Sequence, residues 1–351
     1  MFILNRKLNG VSSFKVLSNN IIYKDDESLF KKSLFLNDEL IYKNGVTGFQ
    51  IMKNKLIFST WNNETFLRNL DDKNLSKIEF EQVGDYMIGN RLVFRNENNY
   101  FVEDAYNENY IAIPNAVPFF KNFLFNNIFI STNQNNTKIH AYTLPTATPL
   151  WQYDLSELGT YRNLTNEVKD YEVKHFIGTY HDMLIVQLSN ASFLFLNIET
   201  GSVITILHLN DILHLPSPVF YDDAFPAHIN DNNLIWLSNQ RLIHIDLNTL
   251  VPAVIKDYFT EPRENQFRFM SNTFHDGKIY FVADYGWQYV TPSYVGVMNA
   301  DSGEVLWCQQ LENTGGLPEA PQVSGDKLYI RTNNKVLHIF EKESKSGSDE
   351  G

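Results

Sequence analysis

Eight times along the chain, a polar turn is followed at once by a burst of aliphatic and aromatic residues. In the first half the signal reads Asn19-Asn20-Ile21-Ile22-Tyr23, Asn54-Lys55-Leu56-Ile57-Phe58, Asn90-Arg91-Leu92-Val93-Phe94 and Asn126-Asn127-Ile128-Phe129-Ile130. It returns as His181-Asp182-Met183-Leu184-Ile185, Asn232-Asn233-Leu234-Ile235-Trp236, Asp276-Gly277-Lys278-Ile279-Tyr280 and Gly325-Asp326-Lys327-Leu328-Tyr329. The spacing is 35 or 36 residues in the first half and wider, up to 56, in the second. Recurrence at that length marks an array of one supersecondary unit.

Each unit has room for four short strands. In the fourth, Phe119–Phe125, Asn127–Thr132, Lys138–Thr143 and Leu150–Leu155 read as strands separated by turn residues, the signature of an all-β fold. The only hint of helical spacing is a turn or two near Leu164–Lys174. With 26 Phe and 18 Tyr the chain suits half-buried sheet faces. The expected fold is a single closed β-propeller of four-stranded antiparallel blades over residues 1–340, eight by count with seven as the alternative. The eighth unit lacks an outer strand while Phe2–Asn5 is a spare one, so pairing the two closes the ring and removes an exposed edge. Residues 341–351 are polar and rich in Ser and Gly, and are expected to form a disordered tail.

A finer pattern marks the turn between third and fourth strands. Asn197-Ile-Glu-Thr200-Gly201 precedes Val203-Ile204, and Asn299-Ala-Asp-Ser302-Gly303 precedes Val305-Leu306-Trp307. Asp246-Leu-Asn-Thr249 and Thr143-Leu-Pro-Thr146-Ala147, the latter reaching Leu150-Trp151, are degenerate copies. Asn or Asp caps such a turn, while Thr, Ser and Gly let it reverse tightly. In these residues the chain resembles the pyrroloquinoline-quinone-type, or quinoprotein-like, propeller repeat, whose hallmark is Asp-x-x-Thr-Gly followed by Leu-Trp. The resemblance covers residues 126–340 and is only periodic over 1–125. It implies the propeller fold, and a superfamily in which enzymes, scaffolds and binding modules all occur.

The quinone-dehydrogenase branch implies an export signal and, for alcohol oxidation, a vicinal cysteine pair. Neither is present here, and no cofactor is expected. Cys308 is the only cysteine, so a reducing cytoplasm is expected, and its place after Trp307 in a strand implies a buried, inert thiol. No run of 18 apolar residues occurs, which argues against a membrane span. The net charge of −12 disfavours nucleic acid and favours cationic partners. His208, His214 and His228, with Asp211, Asp222 and Asp223, match no metal-ligand spacing. His244 and His338 occupy equivalent places in third strands. No Gly-x-Ser-x-Gly elbow and no Gly-rich phosphate loop is present.

Five segments are longer than a connection needs: Ser156–Lys174, Asn210–Ala227, Tyr258–Arg268, Asp284–Ser293 and Glu312–Glu319. All are expected on one face. Net charges of −2, −4, −1, −1 and −2 over windows around them total −10, most of the chain's imbalance. The expected site is therefore a protein-binding surface built from Tyr161, Asp170, Tyr221, Asp222, Asp223, Phe225, Glu264, Tyr285, Trp287, Tyr289, Glu312 and Glu319. Its expected occupant is a basic protein, held by charge and aromatic anchors, as an acidic inhibitor or immunity protein would hold a toxin domain. The protein is read as a cytoplasmic monomer and not as an enzyme. The alternatives are a carbohydrate-active or small-ligand propeller, in which Asp222, Asp223 and Glu264 are the first suspects for acid chemistry, and an assembly scaffold.

Overall fold

The structure, a computed structural model, describes residues 1–17, 20–26, 28–33, 39–43, 45–52, 55–62, 64–71, 73–78, 82–88, 91–96, 99–103, 110–113, 121–144, 146–163, 165–214, 225–286, 293–312 and 314–343. Strands account for most of them and are gathered into eight four-stranded sheets, with one extra two-stranded hairpin. Within each of the first seven sheets the strands lie in chain order. The fourth sheet, for example, runs Asn122–Phe125, Ile128–Thr132, Lys138–Thr143 and Thr148–Asp154.

Burial explains why one strand per sheet announces itself in the sequence. Second strands are covered on both faces: every residue of Met183–Leu188 is buried, as are Ile279 to Asp284 of Lys278–Tyr285. A strand with no wet face loses the alternation of apolar and polar residues and becomes a continuous apolar run. Fourth strands sit at the free edge, where Leu150, Val203, Ile204, Val251 and Leu306 stay exposed.

The chain divides into two compact units. The first contains Met1–Val46, Leu237–Ile243 and Val254–Gly351. In it, the seventh and eighth sheets share a core of Tyr280, Val282, Val295, Val297, Leu328, Ile330 and Phe340. The other face of the eighth sheet packs Tyr329, Leu337 and Ile339 against Val11, Phe14 and Ile21 of the first. The second unit contains Thr47–Trp236 and His244–Ala253. There the fourth and fifth sheets bury Ile130, Ile139, Leu184, Val186, Leu194 and Leu196 together.

The eighth sheet is assembled from both ends of the chain. Gln322–Ser324, Lys327–Arg331 and Val336–Lys342 form its first three strands, and Phe2–Asn9 is the fourth. Phe2 pairs with Lys342 and Asn9 with Val336 in an antiparallel ladder. The N-terminal strand thus serves as expected and is longer than Phe2–Asn5. The sheet also runs through Lys342, two residues past the anticipated boundary, while residues 344–351 lie outside the described ones.

The capped turns have the geometry their residues suggest. Asn197 Oδ1 accepts from the backbone N–H groups of Glu199 and Thr200 at 3.1 and 2.9 Å, and Asn299 Oδ1 does the same for Asp301 and Ser302 at 2.8 and 2.9 Å. Asp246 repeats this with Asn248 and Thr249, and these backbone bonds hold its carboxyl below the ordinary value. The fifth position needs a positive φ, which Gly201 and Gly303 supply at 70° and 71° and Leu250 adopts at 57°.

One segment differs from expectation. The stretch near Leu164–Lys174 contains no helix among its described residues; Val168–Asp170 pairs with Thr160–Arg162 as a hairpin. Its tip is a cap on Asn163, whose Oδ1 accepts from the N–H groups of Thr165 and Glu167 at 3.0 and 2.9 Å. Among the described residues the short helical turns fall at Leu155–Leu158, Leu209–Ile212, Tyr258–Thr260 and Arg263–Asn265 instead.

Candidate functional site

The long connections begin on a recurring ion pair. A cation opening the third strand meets an acid closing the fourth, 16 residues later: Lys138 with Asp154 at 2.7 Å, and Arg241 Nε with Asp257 Oδ2 at 3.0 Å. Each aspartate then caps a single 3-10 turn, Asp154 accepting from Ser156 N–H at 3.0 Å and Asp257 from Phe259 N–H at 2.9 Å. The residue after each aspartate, Leu155 or Tyr258, is buried and anchors the departing loop. Tyr258 donates its hydroxyl hydrogen to the Gly303 carbonyl, and burial pushes its pKa well above the ordinary tyrosine value.

In the first unit this start leads into the loop 258–266. Gln266 ties the loop to itself by donating to the carbonyls of Phe259 and Glu261 at 2.8 and 2.7 Å. Its own carbonyl accepts from Gly286 N–H at 3.0 Å, and Tyr285 donates to Asn265 Oδ1 at 3.1 Å. Glu264 and Tyr285 are therefore brought together: a Cβ on Gly286 would lie 3.1 Å from the Glu264 carbonyl oxygen. Behind them, Phe267 stacks on Phe269 and contacts Tyr285 at 4.7 Å between centroids. Arg268 pairs with the buried Asp284 at 3.0 Å. Phe259 is 36% exposed, with the Arg241 guanidinium 5.5 Å from its ring centroid.

The other expected residues each have surroundings of their own. Glu319 is engaged by Arg331, whose Nε donates to Oε1 at 3.1 Å, whereas Glu312 is exposed. In the second unit, Tyr161 leans on Tyr171 at 5.1 Å and Asp170 is exposed on the hairpin. The Phe225 carbonyl accepts from Gln187 Nε2 and Trp236 Nε1, both at 3.0 Å, which fixes it to the interior. Tyr221, Asp222, Asp223, Trp287 and Tyr289 lie outside the described residues. Sequence reasoning missed Arg241, Asp257 and Phe259. The signal that finds them is the 16-residue spacing shared with Lys138 and Asp154, visible only once two units are laid side by side.

No family model matches the chain, and no curated protein matches it. Solved structures do. The C-terminal WD40 domain of Sif2 superposes with a TM-score of 0.64 at 11% identity, covering 98% of this chain and 99% of that one. BamB from Moraxella catarrhalis gives 0.59 at 9% identity over 97% and 100%. Sqt1 from Saccharomyces cerevisiae gives 0.59 at 10% identity over 98% of each chain. The fold is an eight-bladed β-propeller. Identities this low show the fold alone.

Within the propeller, His244 and His338 both lie in third strands, of blades six and eight, but one register step apart: counted back from Leu247 and Lys342, His244 matches Ile339, so the expected equivalence does not hold. His208 Nδ1 lies 3.0 Å from the Ser192 hydroxyl and 3.3 Å from that of Tyr171, and burial lowers its pKa. Among the described residues no group of three or more His, Cys, Asp or Glu is arranged to hold a metal, and no helix is long and apolar enough to cross a membrane. Burial pushes the Cys308 thiol up to about 12, so no useful fraction is thiolate near neutral pH.

His338 gives the propeller a pH dependence. Its Nδ1 is buried without a hydrogen-bond partner among the described residues, and burial, aided by the Lys7 ammonium, brings its pKa down to about 4. The unfolded chain binds this proton more readily than the folded one, so stability is intact above about pH 6.5 and falls as pH drops towards 4. The gap corresponds to a loss of about 3 kcal/mol by pH 4. Denaturant unfolding of wild type and His338→Leu should show the variant losing about that much less between neutral pH and pH 4; parallel losses refute the assignment.

Proposed function

We propose that the protein is a non-enzymatic binding propeller, acting as a cytoplasmic monomer, that captures a basic protein through the loops around blades six to eight. In its most specific form the reading is an immunity-type inhibitor that occludes a toxin or effector domain. We also assign the repeat to the quinoprotein type, on the support of the Asn197 and Asn299 turns and of Trp151, whose indole N–H donates to the Ile198 carbonyl at 2.9 Å.

The carrying observation is how charge is spent in the first unit. Arg241, Arg268 and Arg331 are each held by a carboxylate of their own blade region, Asp257, Asp284 and Glu319. What the loops leave outward beside Arg263 is Glu264, Glu312 and the part-exposed Phe259, on a backbone fixed by Gln266 and Tyr285. A preorganised acidic surface with aromatic anchors binds a cationic partner without ordering itself first, and charge steers the encounter.

The test is affinity capture with purified protein at about 50 and about 300 mM salt, where the Debye length shortens from near 14 Å to below 6 Å. One stoichiometric basic partner is expected at low salt and less of it at high salt. Phe259→Ala combined with Glu264→Lys should weaken that partner about thirtyfold or more. Substitution in the Asn197 turn should leave binding unchanged. Equal losses from both sets of changes, or no partner at either salt, would overturn the reading.

A further inference from the structure

After the third strands of blades four to eight the backbone takes the same step. The next N–H donates back to the turn before the second strand: Leu144 to Asn127 at 2.7 Å, Ile198 to Asp182 at 2.8 Å, Leu247 to Asn232 at 2.7 Å and Ala300 to Gly277 at 3.0 Å. In blade eight the donor is Lys342, reaching the Asp326 carbonyl at 2.8 Å. The first four side chains are apolar and buried, whereas Lys342 is exposed. Four blades plug this place with an aliphatic group and the eighth withdraws the plug.

Trp151 shows what that plug and its turn normally cover. Its indole N–H is bonded to the Ile198 carbonyl, and Gly201 of the same turn lies flat on the ring. Trp307 holds the matching place in blade seven, four residues after Gly303 as Trp151 is four after Ala147. Blade eight has no third-to-fourth turn to lay over it, because its fourth strand is Phe2–Asn9. Phe2 leans on one side of Trp307 at 5.4 Å between centroids. A cavity of about 130 Å³ remains, walled by Phe2, Tyr280, Val297 and Trp307 and flanked by Lys278 and Lys342.

Neither lysine has a carboxylate partner among the described residues. An apolar slot of this size approaches the roughly 150 Å³ that accommodates benzene in a protein interior. Two unpaired ammonium groups at its rim select for negative charge. We propose that this cavity binds a small apolar monocarboxylate, its hydrocarbon body against Trp307 and its carboxylate between Lys278 and Lys342. A neutral hydrocarbon leaves both cations unused, and a purely polar anion leaves the aromatic walls wet. The site is separate from the partner-binding loops and does not rest on them.

The probe is 3-phenylpropionate, titrated into the full chain while tryptophan fluorescence and heat are followed. Saturable one-to-one binding with a dissociation constant of about 1 mM or tighter is expected, with the neutral 3-phenylpropanamide about tenfold weaker or worse. Lys342→Leu restores the plug of the other blades and should abolish binding while leaving the melting temperature equal or higher. Lys278→Met, on blade seven at the start of Lys278–Tyr285, should weaken binding about tenfold without filling the cavity. Absence of saturable binding, equal affinity for acid and amide, or wild-type affinity in either variant overturns the proposal.

Discussion

Deleting Met1–Asn9 is expected to bring the propeller to the edge of unfolding. The strand contributes the ladder from Phe2 with Lys342 to Asn9 with Val336, and its Phe2, Leu4 and Leu8 pack into the two cores that flank blade eight. At about 1 kcal/mol for each of three partly buried apolar side chains, the loss is about 3 kcal/mol before any ladder hydrogen bond is counted. Domains are stable by only about 5–15 kcal/mol in total. The truncated chain should therefore melt far lower or fail to melt cooperatively, and should aggregate through the bared edge of Val336–Lys342. A synthetic peptide of residues 1–10 added in excess should restore much of the lost melting temperature. A truncated protein that melts within a few degrees of wild type would show that closure by this strand contributes little.

Replacing Gly201 by Val should cost about 3–4 kcal/mol. Two effects combine there. A Cβ would lie 2.5 Å from Cδ2 of Trp151, inside any real contact distance, and the residue adopts φ of 70°. Gly277 separates the two, because it has φ of 66° but nothing within 4 Å of its Cβ position. Gly277→Ala should cost about 1 kcal/mol from backbone conformation alone, and Gly201→Ala clearly more. In a Trp151→Ala background, Gly201→Ala should fall back towards the Gly277 figure. If the excess persists without the indole, the close approach is not its source.

The parts of this fold that were legible in sequence are those where one environment imposes one composition. Leu184 to Val186 and Ile279 to Ala283 are covered on both faces, so they are aliphatic or aromatic throughout. The turns at Asn197 and Asn299 each need one side-chain acceptor for two backbone donors, which the Asn Oδ1 supplies, so Asn-x-x-Thr-Gly and Asn-x-x-Ser-Gly stand out. Legibility fades where a residue's role depends on a distant partner. Glu319 is engaged by Arg331, twelve residues on, a pairing that neither residue announces in the sequence. The hairpin of Thr160–Arg162 and Val168–Asp170 has three-residue strands, too short for alternation to register. At Phe225 the sequence shows an aromatic ring, whereas the two interior donors of Gln187 and Trp236 meet its backbone carbonyl, which no residue type encodes.

The pairing of Phe2 with Lys342 also sets a timetable for the molecule. A chain leaves the ribosome at about 5–20 residues per second, so the strand Phe2–Asn9 waits on the order of 20 to 70 seconds for Val336–Lys342 to appear. Blades one to seven are complete within themselves and need no such delay. Through that interval Phe2 and Leu4 lack their neighbours Trp307 and Phe340, and the nascent chain carries an unpaired strand whose Phe2, Leu4 and Leu8 have no core to enter. Completion of blade eight is therefore gated by Val336–Lys342, and a ribosome stalled before residue 336 would hold a chain that cannot complete it.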